Sequence, residues 1–106
     1  EISLYNNQIS DLSALQNLTS LTRLELGGNL VSDLNPLATL TSLTYFRLSQ
    51  SPISDISGLP SQSLVELNLT HNNISDLTPL AGLTQLNYLY LENNNISNRG
   101  TGLIRN

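Results

Sequence analysis

The 106-residue chain has no cysteine, methionine, tryptophan or lysine, and it has a single histidine, His71. Without cysteine there is no disulfide framework and no thiolate to act as nucleophile or metal ligand. A lone imidazole lacks the partners that a zinc site or a nucleophile–base pair requires. These absences argue against an enzyme, and we expect neither a metal nor a cofactor.

Clustered positive charge and long hydrophobic runs are missing as well. Four arginines stand against eight acids, for a net charge of −4, so the basic footprint that binds phosphates is not there and no nucleic-acid partner is expected. No apolar run approaches the ~20 residues that span a bilayer, and no membrane insertion is predicted. Leucine supplies most of the apolar residues, a bias that is typical of repeats.

The sequence repeats with a period of about 22 residues. Ile or Val recurs at positions 9, 31, 53, 74 and 96, at spacings of 22, 22, 21 and 22. A block such as "LTRLELGGN" or "LVELNLTHN" precedes each of the later positions and follows the pattern L-x-x-L-x-L-x-x-N, which is a strong signal of stacked repeats. We predict a repeat domain over 1–97 with units 1–20, 21–42, 43–63, 64–85 and 86–97. Residues 98–106 are predicted to be a divergent tail or a truncated unit, and because neither end carries an evident cap we expect the natural protein to be longer.

The residue types within each unit predict how the units stack. Alternating leucines give a short strand with one apolar face, and successive strands are expected to lie in parallel. An amide at the end of each strand block can bond buried backbone groups of adjacent turns; these ladder positions are Asn7, Asn29, Asn72 and Asn94. Aspartates precede each return segment where a helix cap is expected; they are Asp11, Asp33, Asp55 and Asp76. The return segments are too short for α-helices, so 3₁₀ turns or irregular coil are predicted.

The stretches "LTRLELGGNLVSDLNPLATL" and "LVELNLTHNNISDLTPLAGL" resemble leucine-rich repeats of the short 22-residue type. They are similar to the repeats of internalin-like bacterial surface proteins, in which N-x-I-S-D-L-x-P-L-x-x-L recurs, and phosphatase-regulator repeats share much of the pattern. The resemblance covers about residues 2–97. It implies a leucine-rich repeat solenoid with a curved, right-handed parallel β-sheet on the concave face and 3₁₀ or irregular convex segments. It also implies a protein partner and favours an extracellular or cell-surface location.

The third unit departs from the pattern. Ser51, followed by Pro52, stands where the ladder asparagine is expected, and "LPSQSL" (59–64) is one residue shorter than its counterparts. Serine offers fewer hydrogen-bonding groups than asparagine, so the ladder is predicted to be weakened here or completed by water. We also predict a different path for this return loop, as ordinary repeat drift or as a docking feature or hinge.

Sequence variety is concentrated at the alternate strand positions, on the side of the sheet turned away from the core, which we call the concave face. All four tyrosines, the histidine, two arginines and four of the acids fall there. Tyr and Arg are enriched at interface hot spots. We therefore predict partner contacts at Tyr45, Arg47, Glu66, His71, Tyr88, Tyr90 and Glu92. Glu1, Arg23, Glu25 and Arg47 are interpreted as cross-strand pairs that stabilise the sheet, with Arg23 beside Glu1 and Glu25 beside Arg47.

The function predicted from these features is a non-catalytic protein-binding module, as part of a larger bacterial surface or secreted protein. Three alternatives remain open. The chain could be an intracellular regulatory or scaffold subunit of the phosphatase-regulator type. It could be a structural spacer, or a segment that accompanies a catalytic domain. No small-molecule substrate is expected.

Overall fold

The computed structural model of the protein describes residues 1–51, 53–60 and 63–95. The predictions made for Pro52, for part of the loop 59–64 and for the tail 98–106 lie outside these residues. Five short strands form one sheet in chain order, and every neighbouring pair is parallel. The strands are β1 (Ile2–Ser3), β2 (Arg23–Glu25), β3 (Tyr45–Arg47), β4 (Glu66–Asn68) and β5 (Tyr88–Tyr90). The predicted solenoid with a parallel sheet is confirmed.

The core contains a column of apolar side chains, one from each strand, together with inward residues of the return segments. The register aligns Ile2, Leu24, Phe46, Leu67 and Leu89. Leu24, Phe46 and Leu67 are fully buried, while Ile2 and Leu89 at the two ends are only partly buried. Each unit therefore buries its apolar face against its neighbours, so stability comes from the interfaces between units.

The return segments contain three 3₁₀ helices of three to five residues: η1 (Ser13–Leu15), η2 (Asn35–Leu37) and η3 (Thr78–Gly82). Each helix starts two residues after its aspartate, so the cap position is a leucine (Leu12 in η1) and not the predicted aspartate. No helix in the described ranges combines the length and the apolar character needed to cross a membrane.

The aspartates still bond the start of each return segment, from one position earlier. The backbone N–H groups of Ser13, Asn35, Ser57 and Thr78 each donate to the carboxylate two residues before them, at 2.9–3.0 Å. These backbone hydrogen bonds lower the pKa of Asp11, Asp55 and Asp76 from its ordinary value, because they favour the ionised form. Such turns direct the chain from the strand side to the return side.

The ladder asparagines bond backbone groups of two successive units. Asn72 is buried; its Nδ2 donates to the carbonyls of Leu48 (2.7 Å) and Leu69 (3.0 Å), and its Oδ1 accepts the Ser51 N–H (2.9 Å). The Nδ2 groups of Asn29 and Asn94 make the equivalent donor bonds, to carbonyls of their own and the preceding unit. Their Oδ1 atoms accept the N–H groups of Ile9 and Ile74, two residues past the preceding ladder asparagine. Asn7, at the exposed end, bonds only the Tyr5 carbonyl.

Ser51 keeps the ladder continuous through the third unit. Its hydroxyl donates to the Asn29 carbonyl at 2.9 Å, and its N–H bonds Asn72 as described. The serine is thus bonded directly to protein groups on both sides, and no water is needed to bridge it. Because serine has no side-chain amide, two carbonyls have one amide donor each: Leu26 is bonded by Asn29 and Leu48 by Asn72. The Leu69 carbonyl, which lies between two ladder asparagines, is bonded by two amides.

The third return segment follows its own path, as its sequence predicts. It turns at Ser57–Gly58, and its described residues contain no 3₁₀ helix. Gly58 is buried against the backbone of the preceding unit: a Cβ placed there would lie 2.5 Å from the Asn35 nitrogen and 2.6 Å from the Leu34 carbonyl carbon. Only glycine permits this approach between units two and three.

Replacing Gly58 by alanine should therefore lower the free energy of unfolding by about 2 kcal/mol, because the new methyl group overpacks against backbone that cannot rotate away. Urea unfolding followed by circular dichroism measures the change. Gly82→Ala is the matched control, since Gly82 is exposed at the end of η3. Equal stability of the two variants would show that the contact at Gly58 is not tight.

Candidate functional site

The strand register places five of the seven predicted partner-binding residues in two adjacent rows. Tyr45, Glu66 and Tyr88 are aligned across β3, β4 and β5. Arg47 and Tyr90 lie in the next row, on either side of Asn68. Facing residues on neighbouring strands are close enough for their side chains to interact, so the sheet forms one continuous surface from these rows.

Exposure differs sharply within this surface. Tyr88 is 55% exposed, although it is a large aromatic residue. Tyr45, Arg47, Glu66 and Tyr90 are half-buried, and Glu92 and His71 are exposed just beyond the strand ends. The greatest accessible aromatic surface on the described concave face is therefore at β5.

His71 lies in the turn that follows β4. Its backbone N–H bonds the Glu92 carbonyl at 2.9 Å, and its Nε2 lies 3.0 Å from the Asn93 Nδ2. Its φ is +60°, and the same left-handed conformation recurs at Asn6, Gly28, Gln50 and Asn93. The backbone therefore turns at this column, and Asn and Gly are suited to the position because they tolerate positive φ. His71 is held beside Glu92 and Asn93 by this turn, at the edge of the two rows.

The first half of the concave face is a closed network around Arg23. The Arg23 Nε lies 3.3 Å from Glu1 Oε2, and its Nη2 lies 3.1 Å from Glu25 Oε2. Its Cζ is 3.8 Å from the centroid of the Tyr45 ring, a cation–π contact. The predicted Arg23–Glu1 pair is therefore present, and Arg23 adds a second carboxylate from its own strand.

The predicted pairing of Glu25 with Arg47 does not form. The two residues face each other in the register, but the Glu25 carboxylate bonds Arg23 and accepts the Ser3 hydroxyl at 3.4 Å. Arg47 instead leans toward β1, with its Cζ 5.7 Å from the Tyr5 ring centroid. Its Nε is buried and has no hydrogen-bond partner in the part of the chain that the structure describes. The register places Glu25 opposite Arg47, but the side-chain conformations determine that Glu25 bonds Arg23 instead.

Tyr5 lies on the concave face, as its sequence column predicts, but the predicted partner contacts did not include it. Its ring lies over Gly27: a Cβ on Gly27 would be 3.1 Å from the Tyr5 Cδ1 and Cε1 atoms and 3.0 Å from the Ser49 Oγ. Tyr5 is 39% exposed and reaches across β2 toward Arg47. The signal in the sequence is that glycine, the smallest residue, stands next to a tyrosine in the same column.

Ionisation in this network follows from burial and neighbouring charge. Burial raises the pKa of the Tyr5 hydroxyl, and the Glu25 carboxylate raises it further. Burial also raises the pKa of Tyr45, reinforced by Glu25. For Glu25, burial opposes ionisation, but hydrogen bonding with Tyr5 and the Arg23 charge outweigh it and lower the pKa. Glu25 is therefore held as an anion beside Arg23.

The described residues contain no group of three or more His, Asp or Glu side chains arranged to hold a metal ion. What the concave face offers is a surface of tyrosine rings and charged groups on a rigid parallel sheet. This combination is suited to contact with a protein surface, because tyrosine supplies large contact area with little loss of side-chain entropy.

Comparison with known proteins identifies the repeats. The family described as "Leucine Rich repeats (2 copies)" matches residues 1–39, 19–61 and 62–98. No curated protein matches the chain. Among solved structures, an internalin (InlF) of Listeria monocytogenes is 42% identical with a TM-score of 0.83, over 89% of this chain and 28% of that one. An internalin C2 of the same organism is 33% identical with a TM-score of 0.80, over 92% of this chain and 45% of that one.

The chain thus spans less than half the length of either internalin. Both similarities extend through nearly all of this chain, and the family matches fall on the stacked units described above. The chain belongs to the leucine-rich repeat family and is an internalin-like leucine-rich repeat protein.

Proposed function

We propose that this chain binds a protein partner on its concave face, without catalysis, as part of a larger bacterial surface or secreted protein. Leucine-rich repeat and internalin folds are in general protein-interaction domains. The specific proposal is that Tyr45, Tyr88 and Tyr90 anchor the partner. Arg47, Glu66, His71 and Glu92 surround these anchors.

The observation that carries the proposal is the exposed tyrosine at β5. Tyr88 leaves 55% of its surface in solvent, next to Glu66 in one direction and Tyr90 along the strand. An exposed ring on a rigid strand forms a hot spot when a partner covers it, because apolar area is buried at little entropic cost. The closed network around Arg23 has less to gain, since its charged groups already bond one another.

The experiment compares partner capture by two double variants. Proteins from a cell-surface extract are captured on the immobilised chain, and the affinity of each captured protein is measured by surface plasmon resonance. Tyr88→Ala with Tyr90→Ala should weaken binding by about tenfold or more, since each change removes a hot-spot side chain. Circular dichroism should show the same secondary structure as the unchanged chain.

The matched control is Thr84→Ala with Gln85→Ala. These residues are exposed in the return segment that leads into β5, so they lie in the same part of the solenoid but away from the strand rows. The control should bind as the unchanged chain does. If the tyrosine variant keeps full affinity while the control loses it, the partner lies on the return side, and the proposal is wrong.

A further inference from the structure

We infer that Glu66, between Tyr45 and Tyr88, receives a basic side chain of the protein partner, an arginine or a lysine. The inference rests on the proposed function, because it names the chemistry of the partner at that same surface. The protein itself shows such a contact at Arg23, in the same row of the sheet.

The first half of the row shows how this sheet holds a guanidinium. Arg23 lies between Glu1 on β1's side and Tyr45 on β3, with its Nε 3.3 Å from the Glu1 carboxylate and its Cζ 3.8 Å from the Tyr45 ring centroid. A carboxylate neutralises the cation while an aromatic ring contacts its planar face. Since adjacent strands are about 4.8 Å apart, one side chain can reach both partners.

The second half of the row has the carboxylate and the rings, and no described residue places a cation between them. Glu66 faces Tyr45 on one side and Tyr88 on the other. Arg23 contacts Tyr45 from the β2 side, so the side toward β4 and Glu66 remains. Glu66 makes no ion pair with a described residue. These three side chains therefore combine a carboxylate with aromatic rings, as Glu1 and Tyr45 do around Arg23, but with two rings and one carboxylate and without the basic group.

Neither of the two arginines in the described ranges, Arg23 and Arg47, supplies that group. Arg23 is held by Glu1 and Glu25. Arg47 lies one row along and leans toward Tyr5 on β1, away from β4. Residues 63–95 contain no arginine or lysine, while they contain Glu66, Asp76 and Glu92. This half of the solenoid is therefore negative, and a cation from outside is the complementary group.

The first test uses acetyl-Gly-Arg-Gly-amide as the probe. Its neutral counterpart carries citrulline in place of arginine, and a lysine peptide gives the second basic side chain. Carbon-13-labelled tyrosine signals are followed by NMR while each peptide is titrated into the millimolar range. The basic peptides should shift the signals of Tyr45 and Tyr88 saturably, and the citrulline peptide should not.

Glu66→Gln should weaken binding of the arginine peptide by about tenfold, equivalent to ~1.4 kcal/mol. Asp33→Asn is the matched control, because it changes the net charge equally and its amide oxygen can still accept the Asn35 N–H on the return side. Equal binding of the arginine and citrulline peptides, or equal binding by Glu66→Gln and the unchanged chain, overturns the inference.

The captured partner separates this inference from the proposed function. If the Tyr88 and Tyr90 double variant loses the partner but Glu66→Gln binds it with unchanged affinity and salt dependence, the docking face stands and the basic contact is wrong. If Glu66→Gln lowers the partner affinity and makes it less dependent on salt, the docking face and the basic contact both stand. Loss of a charge pair removes an attraction that salt screens. If the arginine peptide binds through Glu66 while the tyrosine variant keeps the partner, the cation site stands and the proposed docking face is wrong.

Discussion

Alanine in place of Asn72 should lower the free energy of unfolding by about 3–4 kcal/mol, because two buried backbone groups lose their partners at a cost of roughly 1–3 kcal/mol each. The Leu48 carbonyl and the Ser51 N–H are bonded by the Asn72 amide. The other acceptors keep a donor: Leu69 is also bonded by Asn94, and Thr70 by the Gln50 N–H. Only two backbone groups, the Leu48 carbonyl and the Ser51 N–H, therefore lose their partner.

Urea unfolding monitored by circular dichroism gives the change, with an unchanged m value if the variant still unfolds in one step. Asn7→Ala is the control in the same column. Asn7 is exposed and its amide makes one bond, to the carbonyl two residues before it, so its removal should cost less than about 0.5 kcal/mol. Similar losses for the two variants would mean that water replaces the ladder bonds at Asn72.

The sequence was sufficient to predict the register of the sheet. Its columns, read from the 22-residue spacing, place Arg23, Tyr45, Glu66 and Tyr88 side by side, and the strands pair in that way. In a strand the side chains alternate between two faces. A constant spacing of leucines along this chain therefore fixes the cross-strand neighbours of every residue between them. The 21-residue third unit does not disturb this, because its shorter segment lies in the return loop.

Two features were beyond the sequence because they depend on side-chain and backbone conformation. Glu25 is close to both Arg23 and Arg47, and which guanidinium it bonds depends on rotamers that no spacing encodes. The left-handed turn recurs at one column, where Asn6, Gly28 and Asn93 are residue types that tolerate positive φ. Gln50 and His71 share that column, so the residue types alone do not predict the turn. His71 was therefore predicted as a partner contact on the concave face, without the turn that orients it.

The division between the two faces explains why a binding surface can vary on this fold. Inward positions such as Leu67 are restricted to large apolar residues by packing against both neighbouring units. Outward positions of the same strands, such as Glu66, bear little of that packing. A change at Glu66 or Tyr88 should therefore alter binding with little effect on folding, whereas a change in the core column should do the reverse.

Phe46→Ala tests the core side of this division, and we expect it to lower the free energy of unfolding by about 3–5 kcal/mol. Phe46 is fully buried and faces Leu24 in one unit and Leu67 in the other, both also fully buried. Its removal leaves a cavity in two unit interfaces at once. Because units interact only with their neighbours, a cavity in an interior unit weakens two interfaces, whereas a cavity in an end unit weakens one.

Two controls separate volume from position. Phe46→Leu restores the residue type found at Leu24 and Leu67 and should cost about 1.5 kcal/mol or less, since most of the volume is kept. Leu89→Ala removes a partly buried side chain that faces one described neighbour, Leu67, and should cost about 2 kcal/mol, at the low end for such substitutions. Chemical unfolding of all three variants gives the order. If Leu89→Ala proved as costly as Phe46→Ala, the end of the solenoid would be packed as tightly as its centre, and nearest-neighbour stacking of equal units would not describe its stability.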